Sequence, residues 1–325
     1  MVMLTPGHTP TFVKTFPPGG SPAREDWYVD TALPGVPAWV HLDRRDPASR
    51  TWLRDMAQVD DTVADALFEE DTQPRFTEFP GGTLLILRTA NRLPDAAPED
   101  MVSLRLWITK GRVITTSGLP ITAVELLSAN HWHHGRDFDP ADLVVQLATQ
   151  IARTTRDLIK TLDDEADALE ETILAGEENI ASADLLGVRR QSIWMRRFLA
   201  PQTEALEDLA DAGADWITPD ARVHFRETAH NFRKLTDSLD AIRDHAIAIQ
   251  DQLAARTSEK ANRTLYLLTL AAAIFLPVNL IAALLGANVG GIPGAESPLG
   301  FLVLSLLTVG IIAIEVALFM RLRLL

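Results

Sequence analysis

The sequence predicts an α+β cytosolic domain, built as a mixed sheet with helices, followed by a long α-helical stalk and two C-terminal transmembrane helices. Three observations lead there. Charge is segregated along the chain. Two runs of membrane-spanning length, one uncharged and one with a single charge, stand near the C-terminus. A glycine-free stretch with heptad spacing leads directly into the first of them.

The chain has 325 residues and a formal net charge of −14. Residues 261–325 hold only Arg263, Arg321, Arg323, Glu296 and Glu315, net +1. Of the 30 basic and 44 acidic residues, the first 260 therefore keep 27 and 42, net −15. An acidic surface of that size repels nucleic acid and anionic lipid and concentrates cations, and it also serves plain solubility. Cysteine is absent, which excludes disulfides and restricts any metal site to nitrogen and oxygen ligands.

Residues 1–20 are rich in Pro, Thr and Gly and lack an apolar core of signal-peptide length, so a disordered or loosely held start is expected. Residues 21–138 form the α/β part of the domain. There Ala38–Leu42, Thr83–Thr89, Ser103–Lys110 and Arg112–Thr116 are β-branched or alternating, and Lys110-Gly111 marks a hairpin turn. Helical spacing covers Ser49–Leu67 and Ile121–Ala129. Strand order is not readable. Residues 139–217 are expected as a helical hairpin. One helix starts with a cap at Asp139 and Pro140 in its first turn and runs to Ala175; after a turn over Gly176–Ala181 the second runs from Ser182 to Ala212. Acidic residues near its tip, among them Asp163, Asp164 and Glu177, read as a solvated face.

Residues 218–264 are the stalk. Phe232, Leu235, Leu239, Ile242, Ala246, Ile249 and Leu253 recur in steps of 3 and 4. Such an a/d seam must pack on copies of itself or on helices of the same chain. It continues without a break into the first span, 265–285, which reads LYLLTLAAAIFLPVNLIAALL. A loop over 286–298 leads to the second span, 299–320, whose one charge is Glu315, and to a tail over 321–325. Both spans reach the roughly 20 residues needed to cross the hydrocarbon core. Lys260 and Arg263 flank the entry of the first, Arg321 and Arg323 follow the second, and the loop has no Lys or Arg. That bias places both termini in the cytosol and the loop outside.

The loop reads Gly286-Ala287-Asn288-Val289-Gly290-Gly291-Ile292-Pro293-Gly294. Its four glycines and proline stop the helix and allow turns closed to other residues. A span with a proline near its middle, Gly-x-Asn at its outer end, a short loop and a second span resembles the CorA family of divalent metal-ion transporters. That family's usual motif is Gly-Met-Asn. Here Ala287 holds the middle position, and the continuation from Asn288 to Gly294 resembles the ZntB branch, associated with zinc. The stretch Lys260-Ala-Asn-Arg-Thr-Leu-Tyr, then Phe275-Leu-Pro, with the domain order and length, extends the resemblance over the whole chain. The resemblance implies a funnel-shaped homopentamer in the bacterial inner membrane, with the first span of each subunit lining one central pore. The cargo it implies is a divalent cation, Zn²⁺ foremost, with Mg²⁺ or Co²⁺ as the alternative and coupling to protons left open.

In that arrangement Gly286, Asn288 and Glu296 stand at the pore mouth. A ring of Asn288 amide oxygens would hydrogen-bond the water that small divalent cations hold tightly, without stripping it; a plain helix cap is the alternative role. Glu296, the one charge in the loop, would draw cations to the mouth or simply be solvated. Counting back, Asn279, Leu276, Ala272, Leu268 and Leu265 share one helix face. They would form a second polar ring and apolar constrictions able to gate by dewetting, although Asn279 also suits a hydrogen bond between helices. Glu315 is an intramembrane carboxylate and so a candidate for proton coupling, with pairing to Arg263 or snorkelling to the interface the favoured reading. His131, His133 and His134, followed by Asp137 and Asp139, offer ligands that suit Zn²⁺, but neighbouring histidines seldom converge on one ion.

No Walker loop, Gly-x-Ser-x-Gly, kinase signature or His-Glu-x-x-His occurs. Neither an enzyme, nor a cofactor beyond the transported cation, nor a nucleic-acid partner is expected. From another class, a membrane-anchored cytosolic sensor or signalling protein remains the alternative, although an anchor needs no polar motif between its spans.

Overall fold

The computed structural model describes residues 11–15, 24–26, 37–55, 57, 59–70, 72–91, 100–129, 138–175, 178–286 and 297–321. The strands are β1 (Phe12–Thr15), β2 (Arg24–Asp26), β3 (Ala38–Asp43), β4 (Arg75–Phe79), β5 (Gly82–Ala90), β6 (Met101–Ile108) and β7 (Arg112–Ser117). The helices are α1 (Pro47–Asp55), α2 (Asp61–Phe68), α3 (Thr122–Ala129), α4 (Pro140–Leu174), α5 (Glu178–Asp211), α6 (Pro219–Leu285) and α7 (Gly300–Arg321). The chain divides into two units, Met1–Gln250 and Asp251–Leu325.

In the first unit the strands form one mixed sheet in the order β2-β1-β3-β7-β6-β5-β4. β3 and β7 run parallel, and every other neighbouring pair is antiparallel. Helices cover both faces, which is why β5 is buried from Thr83 to Thr89 instead of alternating with solvent. On one face Val40, Leu42, Leu84, Ile86 and Trp107 pack with Trp52 and Leu53 of α1 and Val63 and Leu67 of α2. Residues that alternate with these, such as Leu85 and Leu87, face the other side, where α4 and α5 lie against β5. β4 ends opposite Ile86. Beyond it the Arg88 N–H donates instead to Gln202 Oε1 of α5, at 2.6 Å, so the exposed sheet edge is closed by a side chain.

Three expectations need correction, and one open alternative is resolved. The loosely held start over 1–20 contains β1, which pairs with β3 and buries Phe12 and Val13; four residues are too few to show a period. The helical spacing over Ser49–Leu67 is two helices. Asp60 caps α2 by accepting from the Thr62 N–H at 2.8 Å, and the spacing stays in phase across the break because Val59 is buried too. α5 starts at Glu178, so Ser182 lies inside it and not at its start. Finally, the seam of α6 is filled by its own chain: Phe232, Leu235, Leu239, Ile242, Ala246 and Ile249 are buried within one protomer, Leu239 to 1% exposure. Ion pairs hold α6 to α5, Arg196 to Asp240 and Arg226 to Asp211, each at 2.8 Å, and a hydrogen bond between His245 Nε2 and Glu170 Oε2 at 3.0 Å ties it to α4. These six side chains are therefore not available to a second copy.

At the amino-terminal end of α4 the cap forms as the sequence requires. The Ala141 N–H donates to Asp139 Oδ1 at 2.8 Å, with Pro140 in the first turn.

Candidate ion pathway

Among the described residues, α6 and α7 are the two helices long and apolar enough to cross a membrane, and the apolar stretch of each is unburied by the rest of the chain. At 3.6 residues per turn, Leu265, Leu268, Ala272, Leu276 and Asn279 fall within an arc of about 80°. All five are exposed in the protomer, Leu276 by 69%. The partly covered residues of this segment, Leu270, Ile274, Pro277, Val278 and Ile281, lie on the opposite side. On α7, Leu304, Thr308, Ile311, Glu315 and Phe319 make a similar partly covered stripe. We read these stripes as the faces along which the two spans pair, which leaves the Asn279 face of α6 open.

Most polar side chains in the spans are internally satisfied. The hydroxyls of Thr269, Ser305 and Thr308 donate to carbonyls one turn back, at 2.8, 2.9 and 2.9 Å. Two groups differ. No described residue hydrogen-bonds the Asn279 side chain, so the helix–helix bond it could have made is absent within the protomer. Glu315 Oε2 is buried with no hydrogen-bond partner, and the expected ion pair with Arg263 does not form. The sequence shows Glu315 in phase with Ile311 and Thr308, but without the covered side of α6 that stripe has no direction.

Gly286 closes α6. Its N–H donates to the Ala282 carbonyl at 2.8 Å, and a Cβ on Gly286 would stand 2.8 Å from that same oxygen. The first position of Gly-x-Asn is thus a glycine for steric reasons: any side chain there collides with the last turn's main chain. Asn288 and Glu296 lie outside the described residues, as do His131, His133 and His134. Among the described residues no group of three or more His, Asp or Glu side chains is placed to hold a metal ion. Asp139, grouped with the histidines on the sequence, is engaged as the α4 cap.

A mixed α/β domain whose last helix continues into an apolar stretch of membrane-spanning length, followed by a second such helix, is the architecture of a membrane protein. More narrowly, the chain belongs to the family described as CorA-like Mg²⁺ transporter protein, which matches residues 35–321. It is 36% identical over 295 residues to the divalent cation transporter CmaX of Pseudomonas aeruginosa, covering 90% of this chain and 88% of that one. It is 31% identical over 274 residues to the zinc transport protein ZntB of Pectobacterium carotovorum subsp. carotovorum, covering 84% and 83%. The solved structure of the full-length CmaX protein matches with a TM-score of 0.80 at 33% identity, covering 98% of this chain and 99% of that one. The fold class expected from the sequence, a mixed sheet with helices, a long helix and two apolar C-terminal helices, is the one found.

Proposed function

We propose that this chain carries divalent metal cations, Zn²⁺ foremost, across the bacterial inner membrane through the central pore of a homopentamer, with both termini in the cytosol. One observation carries the reading: Leu265, Leu268, Ala272, Leu276 and Asn279 share one open stripe, the polar member of which has no hydrogen-bond partner among the described residues. Two spans from one chain cannot enclose a water-filled path, so several copies must contribute this stripe. Rings of Asn279, and of Asn288 at the mouth, would offer amide oxygens to a cation's bound water, while Leu276, Leu268 and Leu265 would set apolar constrictions. The absence of carboxylates from the stripe favours passage over tight capture, since conduction requires release as well as entry.

Zinc is favoured over Mg²⁺ or Co²⁺ by the run from Asn288 to Gly294 and by the likeness to a zinc transport protein. Coupling to protons is proposed at Glu315. Its buried Oε2 sits on the α7 stripe that we pair with α6, and a carboxylate within a span is a functional candidate.

The test is zinc flux into vesicles that contain only the purified protein, with and without an imposed pH gradient. Asn288→Ala should abolish flux while leaving assembly intact, because each lost hydrogen bond to a charged, hydrated ligand is worth roughly 1.5–3 kcal/mol. Glu315→Gln should keep flux but remove its response to the gradient. Wild-type flux in Asn288→Ala would remove the pore-mouth role, and no flux of any divalent cation in the unaltered protein would return the chain to the anchored-sensor class.

A further inference from the structure

α5 carries a stripe that its own protomer leaves uncovered. One side of the helix is packed, with Val188, Ser192, Met195 and Leu199 buried. On the other, Leu186 is 56% exposed, Ile193 50% and Trp194 40%, and they border a groove of about 520 Å³. Leu186, Arg190, Ile193 and Arg197 recur in steps of four, three and four, so they share one helix face. The Arg197 guanidinium lies 5.6 Å from the centre of the Trp194 ring. Single exposed apolar side chains are ordinary, but a run of them mixed with arginine and an aromatic ring has the composition of an interface.

Charge selects the partner. From Leu185 to Thr203, α5 has four arginines and no carboxylate, in a chain of net charge −14. The neighbouring helix is the reverse: from Asp163 to Glu171, α4 holds six carboxylates and no cation. Asp164, Ala168 and Glu171 are exposed and again share one face, at steps of four and three. Among the described residues nothing pairs with the side chains of Arg189, Asp164 or Glu171.

The two faces are also level. Counting from the junction of α4 and α5, Leu186 lies about as far along one helix as Ala168 along the other, and Arg189 about as far as Asp164. A turn about an axis parallel to this hairpin therefore brings the α5 stripe of one copy against the α4 face of the next. Contacts between unlike surfaces of identical chains close into rings when the rotation closes. This one also lets copies of a strongly acidic chain approach, since like-charged surfaces otherwise repel. We propose that the α5 stripe is a subunit interface, and that its occupant is the acidic outer face of α4 in a second copy of this chain. Leu186, Ile193 and Trp194 supply the apolar centre, and the arginines fix the register. The inference rests on the homopentamer proposed above and adds which surfaces meet.

The chain has no cysteine, so cross-linking sites can be introduced singly. Two differently tagged full-length copies, one Leu186→Cys and the other Ala168→Cys, are co-expressed, purified in detergent and treated with a short bis-maleimide. Covalent dimers carrying both tags are expected, with little dimer from either variant alone. Asp164→Arg in the Ala168→Cys copy should cut the yield about tenfold, and Arg189→Glu in the Leu186→Cys copy should then restore it. Light scattering without the cross-linker reads the assembly separately. An assembly that yields no mixed dimer overturns this interface and leaves the pore reading standing, whereas a monomer at every concentration overturns both. The proposal also falls if Leu186→Cys alone cross-links as well as the mixture, or if Asp164→Arg leaves the yield unchanged. Shielding of Leu186→Cys from maleimide only when anionic lipid vesicles are added would assign the stripe to a membrane surface instead.

Discussion

Acidifying the solution around His41 perturbs the folded chain in a direction that its surroundings fix. His41 is fully buried on β3 and stacks on Phe12 with ring centroids 5.6 Å apart. The Thr115 hydroxyl donates to Val40 O at 3.2 Å, so its oxygen accepts from Trp39 Nε1 at 2.9 Å and from His41 Nδ1 at 2.8 Å. Ser117 donates its own proton to Leu119 O at 2.7 Å, and its oxygen stands 3.5 Å from Nε2. The neutral ring with its proton on Nδ1 is therefore satisfied, and a second proton finds only a long contact. Burial, partly offset by Asp43, lowers the pKa from the usual 6.5 to about 3. Below pH 6.5 the unfolded chain takes up a proton that the folded chain refuses. The contribution of neutral His41 is thus complete above pH 6.5 and is lost as pH falls toward 3. Between pH 7.5 and 5 the loss is about 2 kcal/mol, at 1.36 kcal/mol per unit of difference. Thermal melts of the full-length protein in detergent at both pH values measure it. His41→Gln should be less stable at pH 7.5 and should show a smaller drop on acidification. An equal drop in both proteins would refute a histidine held neutral.

Three further outcomes are expected. Gly286→Ala should leave the first unit's melting unchanged but impair zinc flux, because its Cβ meets the Ala282 carbonyl at 2.8 Å and the end of α6 must shift; full flux would mean that the loop tolerates the displacement. Leu239→Asp places a charge at a site 1% exposed inside the protomer, which costs several kcal/mol without a partner. It should abolish folded protein altogether, and a well-folded monomer by light scattering would contradict intrachain packing of the seam. Zinc uptake should fall as monovalent salt rises, since the field of a chain with net charge −14 is screened over about 10 Å at 0.1 M; salt-independent uptake would remove the acidic surface from the pathway.

How far the sequence could be read depended on the range of the interaction involved. Local signals were legible. Asp139-Pro140 announces a helix start because the cap and the ring act within one turn, and the runs at β5, β6 and β7 are long enough for β-branched content to stand out. The spans were legible because bilayer thickness sets their length. β1 was hidden by its size, and β4 by its polar face as an edge strand. The break at Asp60 was hidden because α1 and α2 keep one apolar phase on the same sheet face. Heptad spacing in α6 showed that a partner exists but could not choose between a second copy and α4 with α5, since both present the same apolar surface. A cavity in the first unit left no trace in the sequence. Its cations are drawn from positions 44, 45, 88 and 105, brought together by sheet order.

The same limit in range explains why the pathway is incomplete in one protomer. In the first unit, apolar side chains close on one another and the seam of α6 is filled from within. Beyond Gln250 the helix changes its solvent. Leu265, Leu268 and Leu276 can lie against lipid at no cost, because hydrocarbon is as apolar as leucine. Asn279 cannot, since an amide turned toward lipid forfeits hydrogen bonds worth several kcal/mol. Among the described residues none hydrogen-bonds it. The groups that can satisfy it are water or the same amide from further copies, and a ring of copies around water supplies both. In the pore we propose, the residue that disfavours a lone protomer in a membrane is the one that would line the path of a hydrated ion.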